Sequence, residues 1–136
     1  MAQPALVAGR HVCELGAGLG LCSILAGRLG AISVLCTDGN MEAVRNCEEN
    51  IRRNSACAVV STAHVLWDQP PPRLATAAND TAAASPEGPS GRDAGDDDAD
   101  VGAQLWDAEV LLAADVVYDA QASADLVGLV ADLFKR

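Results

Sequence analysis

Aromatic residues are scarce, at 3% of the 136-residue chain. Hydrophobic residues reach 50% overall, so a core has to be assembled from Ala, Val, Leu and Cys. Basic residues are few as well. Nine Lys and Arg stand against nineteen Asp and Glu, giving a formal net charge of −10 and a pI near 4.3. That balance excludes a non-specific nucleic-acid binder, which needs a basic face to displace phosphate counterions. It equally argues against docking on anionic lipid. No apolar run approaches the roughly 20 residues that span a bilayer. Met1–Arg10 has no basic segment followed by an apolar one, so no signal peptide is expected. A soluble, cytoplasmic protein with neither nucleic-acid nor membrane partners is the expectation. The length is that of one small domain.

Metal and disulfide signatures are also missing. The five cysteines (Cys13, Cys22, Cys36, Cys47 and Cys57) are odd in number, form no C-x-x-C and sit in apolar or amphipathic segments. Reduced core thiols are the better reading. His11 and His64 lack ligand-like spacing, so no metal is expected.

What is present is an α/β pattern without internal repeats. Arg10–Leu15 reads as a strand running into a glycine cluster. Leu19–Leu29 reads as a helix with Leu21, Cys22, Leu25 and Leu29 on one face, ended by Gly30 as a C-terminal cap. Ile32–Thr37 is apolar on both faces, as for an inner parallel strand. Asn40 is placed to cap a helix over Met41–Asn54, whose predicted buried stripe is Met41, Val44, Cys47 and Ile51. Arg52 and Arg53 lie in its last turn, which suits the helix dipole. Ala58–Trp67 is β-like, Glu109–Val117 reads as another buried strand, and Ala120–Phe134 as a helix with Leu126, Leu129 and Leu133 inward.

Gln69–Leu105 interrupts this order. It carries Pro70-Pro71-Pro72 and the run Asp96-Asp97-Asp98, and its seven acids and two arginines hold −5 of the net −10. It lacks the apolar surface to offset its ordering entropy and reads as an acidic, Pro/Ala/Gly-rich disordered insertion. The predicted organisation is therefore 1–68 as a cofactor-binding βαβαβ half, 69–105 as the insertion, and 106–136 as strand four and the next helix of the same domain. The order predicts a parallel sheet with right-handed crossovers and flanking helices, and the strand order expected is 3-2-1-4.

The strongest chemical signal is Glu14-Leu15-Gly16-Ala17-Gly18-Leu19-Gly20 at a strand-to-helix junction. Glycines there allow a sharp turn and close backbone approach, and the following helix offers free N–H groups. Asp38 closes the second strand, where a carboxylate can accept ribose hydroxyls. A dinucleotide loop would place its third glycine at position 21, which is Leu21. The alternating glycines, with an acid two residues before the first, follow instead the pattern of S-adenosylmethionine enzymes. A tight turn without ligand is the bland alternative.

Taken together, the motifs resemble the seven-β-strand protein methyltransferases, and within them lysine methyltransferase family 16. The residues carrying the resemblance are Glu14–Gly20, Cys36-Thr37-Asp38-Gly39, Asn50–Asn54, Leu66-Trp67-Asp68 and Ala113-Ala114-Asp115-Val116-Val117-Tyr118. The last two groups look most like the elongation factor 2 lysine methyltransferase branch. The resemblance implies S-adenosyl-L-methionine as cofactor and a lysine-bearing protein, elongation factor 2, as partner. It implies that Gly16, Ala17 and Gly18 line the methionine portion, with Glu14 supporting the loop. Asp38 would hold the ribose, Trp67 pack beside the adenine, Asp68 reach the adenine edge and Ala114 pass under the cofactor. Asp115 would face the incoming amine and Tyr118 wall the channel as the catalytic pair. Read as residues alone, Trp67 and Tyr118 can simply pack and Asp115 can simply cap a turn.

The reaction implied is in-line displacement at a sulfonium methyl by a neutral amine. It needs alignment and exclusion of water more than covalent help. Asp115 is assigned positioning first and proton acceptance second. The family's fold continues through three further strands after the point where this sequence stops. A fragment with poor methyl transfer is thus expected, strand four becoming an exposed edge. The alternatives are a non-catalytic cofactor-binding or interaction module and, less favoured because of Leu21, a dinucleotide-dependent oxidoreductase.

Overall fold

The computed structural model describes residues 4–56, 58–72 and 94–135. A 3-10 turn, Pro4–Leu6, leads into β1 (His11–Leu15), α1 (Leu21–Arg28), β2 (Ser33–Asp38), α2 (Met41–Arg53) and β3 (Val60–His64). Helix α3 (Ala94–Trp106), β4 (Val110–Ala113) and α4 (Ala120–Leu133) follow. The four strands form one parallel sheet in the order β3-β2-β1-β4. This is an α/β fold with a Rossmann-like parallel sheet and flanking helices, as the strand and helix order predicts, and of the methyltransferase type that the resemblance implies.

Successive side chains of a strand point to opposite faces, and each face here supports its own core. Val12, Val34, Cys36 and Val60 meet Ile24, Ala26, Cys47 and Ile51 from α1 and α2. Cys13, Leu15, Leu35 and Ala63 meet Leu105 of α3 and Leu126, Leu129 and Leu133 of α4. The inward leucines of α4 are those the periodicity picks out. Inner strands β1 and β2 are buried on both faces, hence their continuous apolar runs.

Three sequence expectations need correction. Leu21 is 75% and Leu25 46% exposed, while Ser23, Ile24 and Ala26 are the buried side of α1. Leu25 instead borders an apolar groove of about 610 Å³, with Leu29, Val110 and Leu112 also on its wall. Met41 is 46% exposed, so the buried stripe of α2 is Val44, Cys47 and Ile51. The third concerns the insertion: residues 94–105, assigned to it from composition, belong to α3. Leu105 is fully buried, and the Trp106 indole donates to the Pro71 carbonyl at 2.9 Å. The rest of the disorder expectation, 73–93, lies outside the described residues, as does Cys57.

Local signals fix most boundaries. Asn40 Oδ1 accepts the Glu42 amide at 2.8 Å, making it the N-cap expected for α2. Asp119 Oδ1 caps α4 by accepting the amides of Gln121 and Ala122. Gly30, at φ +92, follows α1 while the Ala31 amide returns to the Ala26 carbonyl at 3.2 Å. That is the left-handed glycine ending read from the sequence. Among the described residues no helix is long and apolar enough to cross a membrane.

Candidate functional site

The carboxyl ends of β1, β2 and β4 converge on one edge of the sheet, as parallel strands require. From β1 the chain turns through Gly16, Gly18 and Gly20, all at positive φ. The turn is tied to the end of β2: the Ala17 amide donates to the Thr37 carbonyl at 2.9 Å, and the Thr37 hydroxyl donates to the Glu14 carbonyl at 2.7 Å. Asp38 completes the tie. Its Oδ2 accepts the Gly18 amide at 2.9 Å and its Oδ1 the Asn40 amide at 2.8 Å. The loop is thus fixed by the side chain that the sequence reading assigns to ribose. Each carboxylate oxygen keeps a second lone pair.

These elements frame a cavity of about 500 Å³. Gly16, Asp38, Trp67, Asp68, Asp115 and Tyr118 all lie on its wall. The fold therefore gathers six of the ten sequence-assigned site residues from four separate segments. Glu14, Ala17, Gly18 and Ala114 are not on that wall. Glu14 is buried at 3% exposure, and its carboxylate is bound to Ser23. Gly18 acts through its amide on Asp38. Asp125 and Ala122, from α4, and Val65, after β3, are wall residues with no motif to mark them, whereas Leu66 lines the wall as part of the Leu66-Trp67-Asp68 motif. Asn40 also lines it, and its capping role was the only signal it carried.

Three details suit a ligand. A Cβ built on Gly16 would lie 2.8 Å from Val116 Cγ1 and 3.3 Å from Trp67 Cζ2, so this cradle admits only glycine. The Trp67 indole N–H is buried and finds no hydrogen-bond partner among the described residues. A buried donor left so costs about 1–3 kcal/mol, which a ligand acceptor can offset. Asp115 has φ +59, a left-handed conformation uncommon for a non-glycine residue and typical of functional sites. Asp115 is exposed, and the buried Val116 beside it also lines the cavity. His64 Nε2 lies 2.9 Å from the Gly39 carbonyl oxygen, which makes Nε2 the protonated nitrogen and steadies the Asp38-Gly39 turn. No grouping of three or more His, Cys, Asp or Glu among the described residues could hold a metal ion.

Comparison with known proteins adds a family. A family model described as ribosomal protein L11 methyltransferase (PrmA) matches residues 3–80. That range holds β1 to β3 and the cavity residues Gly16, Asp38, Trp67 and Asp68, whereas Asp115 and Tyr118 fall outside it. The ribosomal protein L11 methyltransferase of Chloroflexus aurantiacus is 42% identical over 55 residues, 40% of this chain and 17% of that protein. The same enzyme of Thermosipho melanesiensis is 38% identical over 58 residues, 43% of this chain and 22% of that protein. The crystal structure of ribosomal protein L11 methylase from Lactobacillus delbrueckii subsp. bulgaricus is 31% identical at a TM-score of 0.39, over 46% of this chain and 32% of that one. The chain spans about a fifth of the length of the curated relatives it matches. Family 16 and its elongation factor 2 branch find no support in these matches.

Proposed function

The chain belongs to the ribosomal protein L11 methyltransferase family, and from that premise we propose that its cavity binds S-adenosyl-L-methionine for methyl transfer to a protein amine. The observation that carries the reading is the joint placement of the Gly16 cradle, Asp38, Trp67 and Asp115 on one cavity wall at the strand ends. Ligands of open α/β sheets bind at that edge.

In this reading the cofactor supplies an electrophilic methyl group on a positively charged sulfur. The chain's own residues do the rest. Gly16 to Gly18 let the backbone come close, and Asp38 uses its free lone pairs on ribose hydroxyls. Trp67 offers a flat face to the purine, with Asp68 beside it. Asp115 orients an incoming lysine amine toward the methyl and stabilises the charge the nitrogen gains. Tyr118, 75% exposed, borders the approach. A contact distance of about 3–3.5 Å and the right line of attack are what such positioning must provide.

The acceptor we propose is a lysine side chain. Elongation factor 2 as the acceptor protein rests on the Leu66–Asp68 and Ala113–Tyr118 motifs alone, and the matched relatives carry the name of ribosomal protein L11. Methylation assays with both proteins, and with the chain joined to the C-terminal region of a full-length relative, separate these acceptors.

Calorimetry on the full chain tests the cofactor. S-adenosylmethionine or its demethylated product should bind more tightly than NAD. Asp38→Ala should weaken binding roughly ten- to a hundredfold, the worth of a charged hydrogen bond. Tighter NAD binding, or an unchanged affinity in the variant, would remove the assignment.

A further inference from the structure

We infer that Cys36 and Cys47 are a redox dithiol, which a hydroperoxide converts into a disulfide joining β2 to α2 beneath the glycine loop. The inference stands apart from the methyltransferase reading. The two Sγ atoms are 2.8 Å apart and both residues are buried. A disulfide bond is about 2.05 Å long, so the sulfurs need to close by less than about 1 Å. Chain neighbours do not create this proximity: the cysteines sit on a strand and a helix that pack face to face.

Cys13 provides the contrast. It is fully buried, and burial pushes its thiol up to about 12. No second sulfur is hydrogen-bonded to it among the described residues, and it serves as packing. In the pair, the mutual hydrogen bond raises Cys36 and lowers Cys47, so Cys47 is the sulfur that ionises first. Thiolate is the nucleophilic form.

The chemistry balances with a hydroperoxide as the only oxidant. The Cys47 thiolate attacks the terminal peroxide oxygen, an S–O bond forms, the O–O bond breaks, and an alcohol (or water) departs with a proton. Cys36 sulfur then attacks the sulfenic sulfur of Cys47. The S–S bond forms, the S–O bond breaks, and hydroxide leaves as water with the Cys36 proton. Two thiols lose two electrons, and the hydroperoxide gains them.

The location gives the bond a consequence. A Cβ on Gly20 would overlap the Cys47 sulfur and lie 3.6 Å from the Cys36 sulfur, so the loop rests directly on the pair. Ser23, hydrogen-bonded to Glu14, also neighbours Cys36. Drawing the sulfurs together displaces what they support.

The test treats the full chain with a small excess of hydrogen peroxide, then alkylates it in denaturant and digests it with trypsin. Cleavage after Arg28, Arg45 and Arg52 leaves Cys36 and Cys47 on separate peptides, 29–45 and 46–52. The expected product is the two joined, lighter by two hydrogens and split by dithiothreitol. Hydrogen exchange across residues 16–24 should quicken on oxidation and recover on reduction. Cys13→Ser should keep the linkage, and Cys47→Ser should lose it. Wild-type chain giving both peptides as alkylated thiols or as sulfinic acids, or linking Cys36 and Cys47 no more than either to Cys22 or Cys57, would overturn the proposal.

Discussion

The carboxylate of Glu14 holds Ser23 twice, accepting the backbone amide at 2.8 Å and the hydroxyl at 2.5 Å through Oε2. Both residues are buried, at 3% and 0% exposure. The acid of the glycine motif is therefore a brace between the end of β1 and the first turn of α1. It fixes the direction in which the loop leaves the sheet.

Glu14→Ala should cost about 3 kcal/mol, because it strands two buried Ser23 donors. Urea denaturation at neutral pH reads the change. A loss under about 1 kcal/mol would mean that water or a neighbouring group replaces the carboxylate.

Gly18→Ala and Gly20→Ala should differ sharply. Both glycines have positive φ, +54 and +77, so each alanine pays roughly 1–2 kcal/mol for the left-handed backbone. At Gly18 nothing lies within 4 Å of the added Cβ, whereas at Gly20 it runs into the Cys47 sulfur. The second variant should lose about 1–3 kcal/mol more from overpacking. Adding Cys47→Ala to it should recover part of that loss in the same denaturation assay.

Asp115→Gly should stabilise the fold by about 1 kcal/mol while removing methyl transfer in the chain joined to a relative's C-terminal region. Glycine relieves the φ of +59. The carboxylate proposed to orient the amine goes with it. Thermal melts and a transfer assay on one preparation check the two effects together.

Alkaline pH should weaken the fold through Cys13. Burial raises its thiol from 9.0 to about 12, so between those values the unfolded chain has given up a proton that the folded chain keeps. Stability from this group is fully present below pH 9 and falls by about 1.4 kcal/mol per unit as pH rises through the window. Urea midpoints between pH 9 and 11 should fall less steeply in Cys13→Ala than in the wild type.

The short-range features were legible. Alternation and helical period located the strands and helices, Asn40 announced its cap, and the glycine alternation marked the loop. These signals work because the partners lie within a turn or two of each other. Helix α3 escaped, since Ala, Gly and Asp give little helical pattern. Its anchor residues, Leu105 and Trp106, sit at its far end, and the Trp106 bond to Pro71 spans 35 positions.

By itself, then, the sequence determined most of the element types, the parallel sheet and the edge where a ligand would bind, because hydrophobic period and strand–helix alternation restrict topology to few choices. Tertiary structure decided which side of α1 faces inward, since burial depends on what packs opposite and not on the helix's own leucines. It also brought Trp67, Asp115 and Asp125 to one cavity and set Cys36 against Cys47. Those are contacts between elements, and no local pattern encodes the distance between two side chains that meet only when the sheet and its helices close.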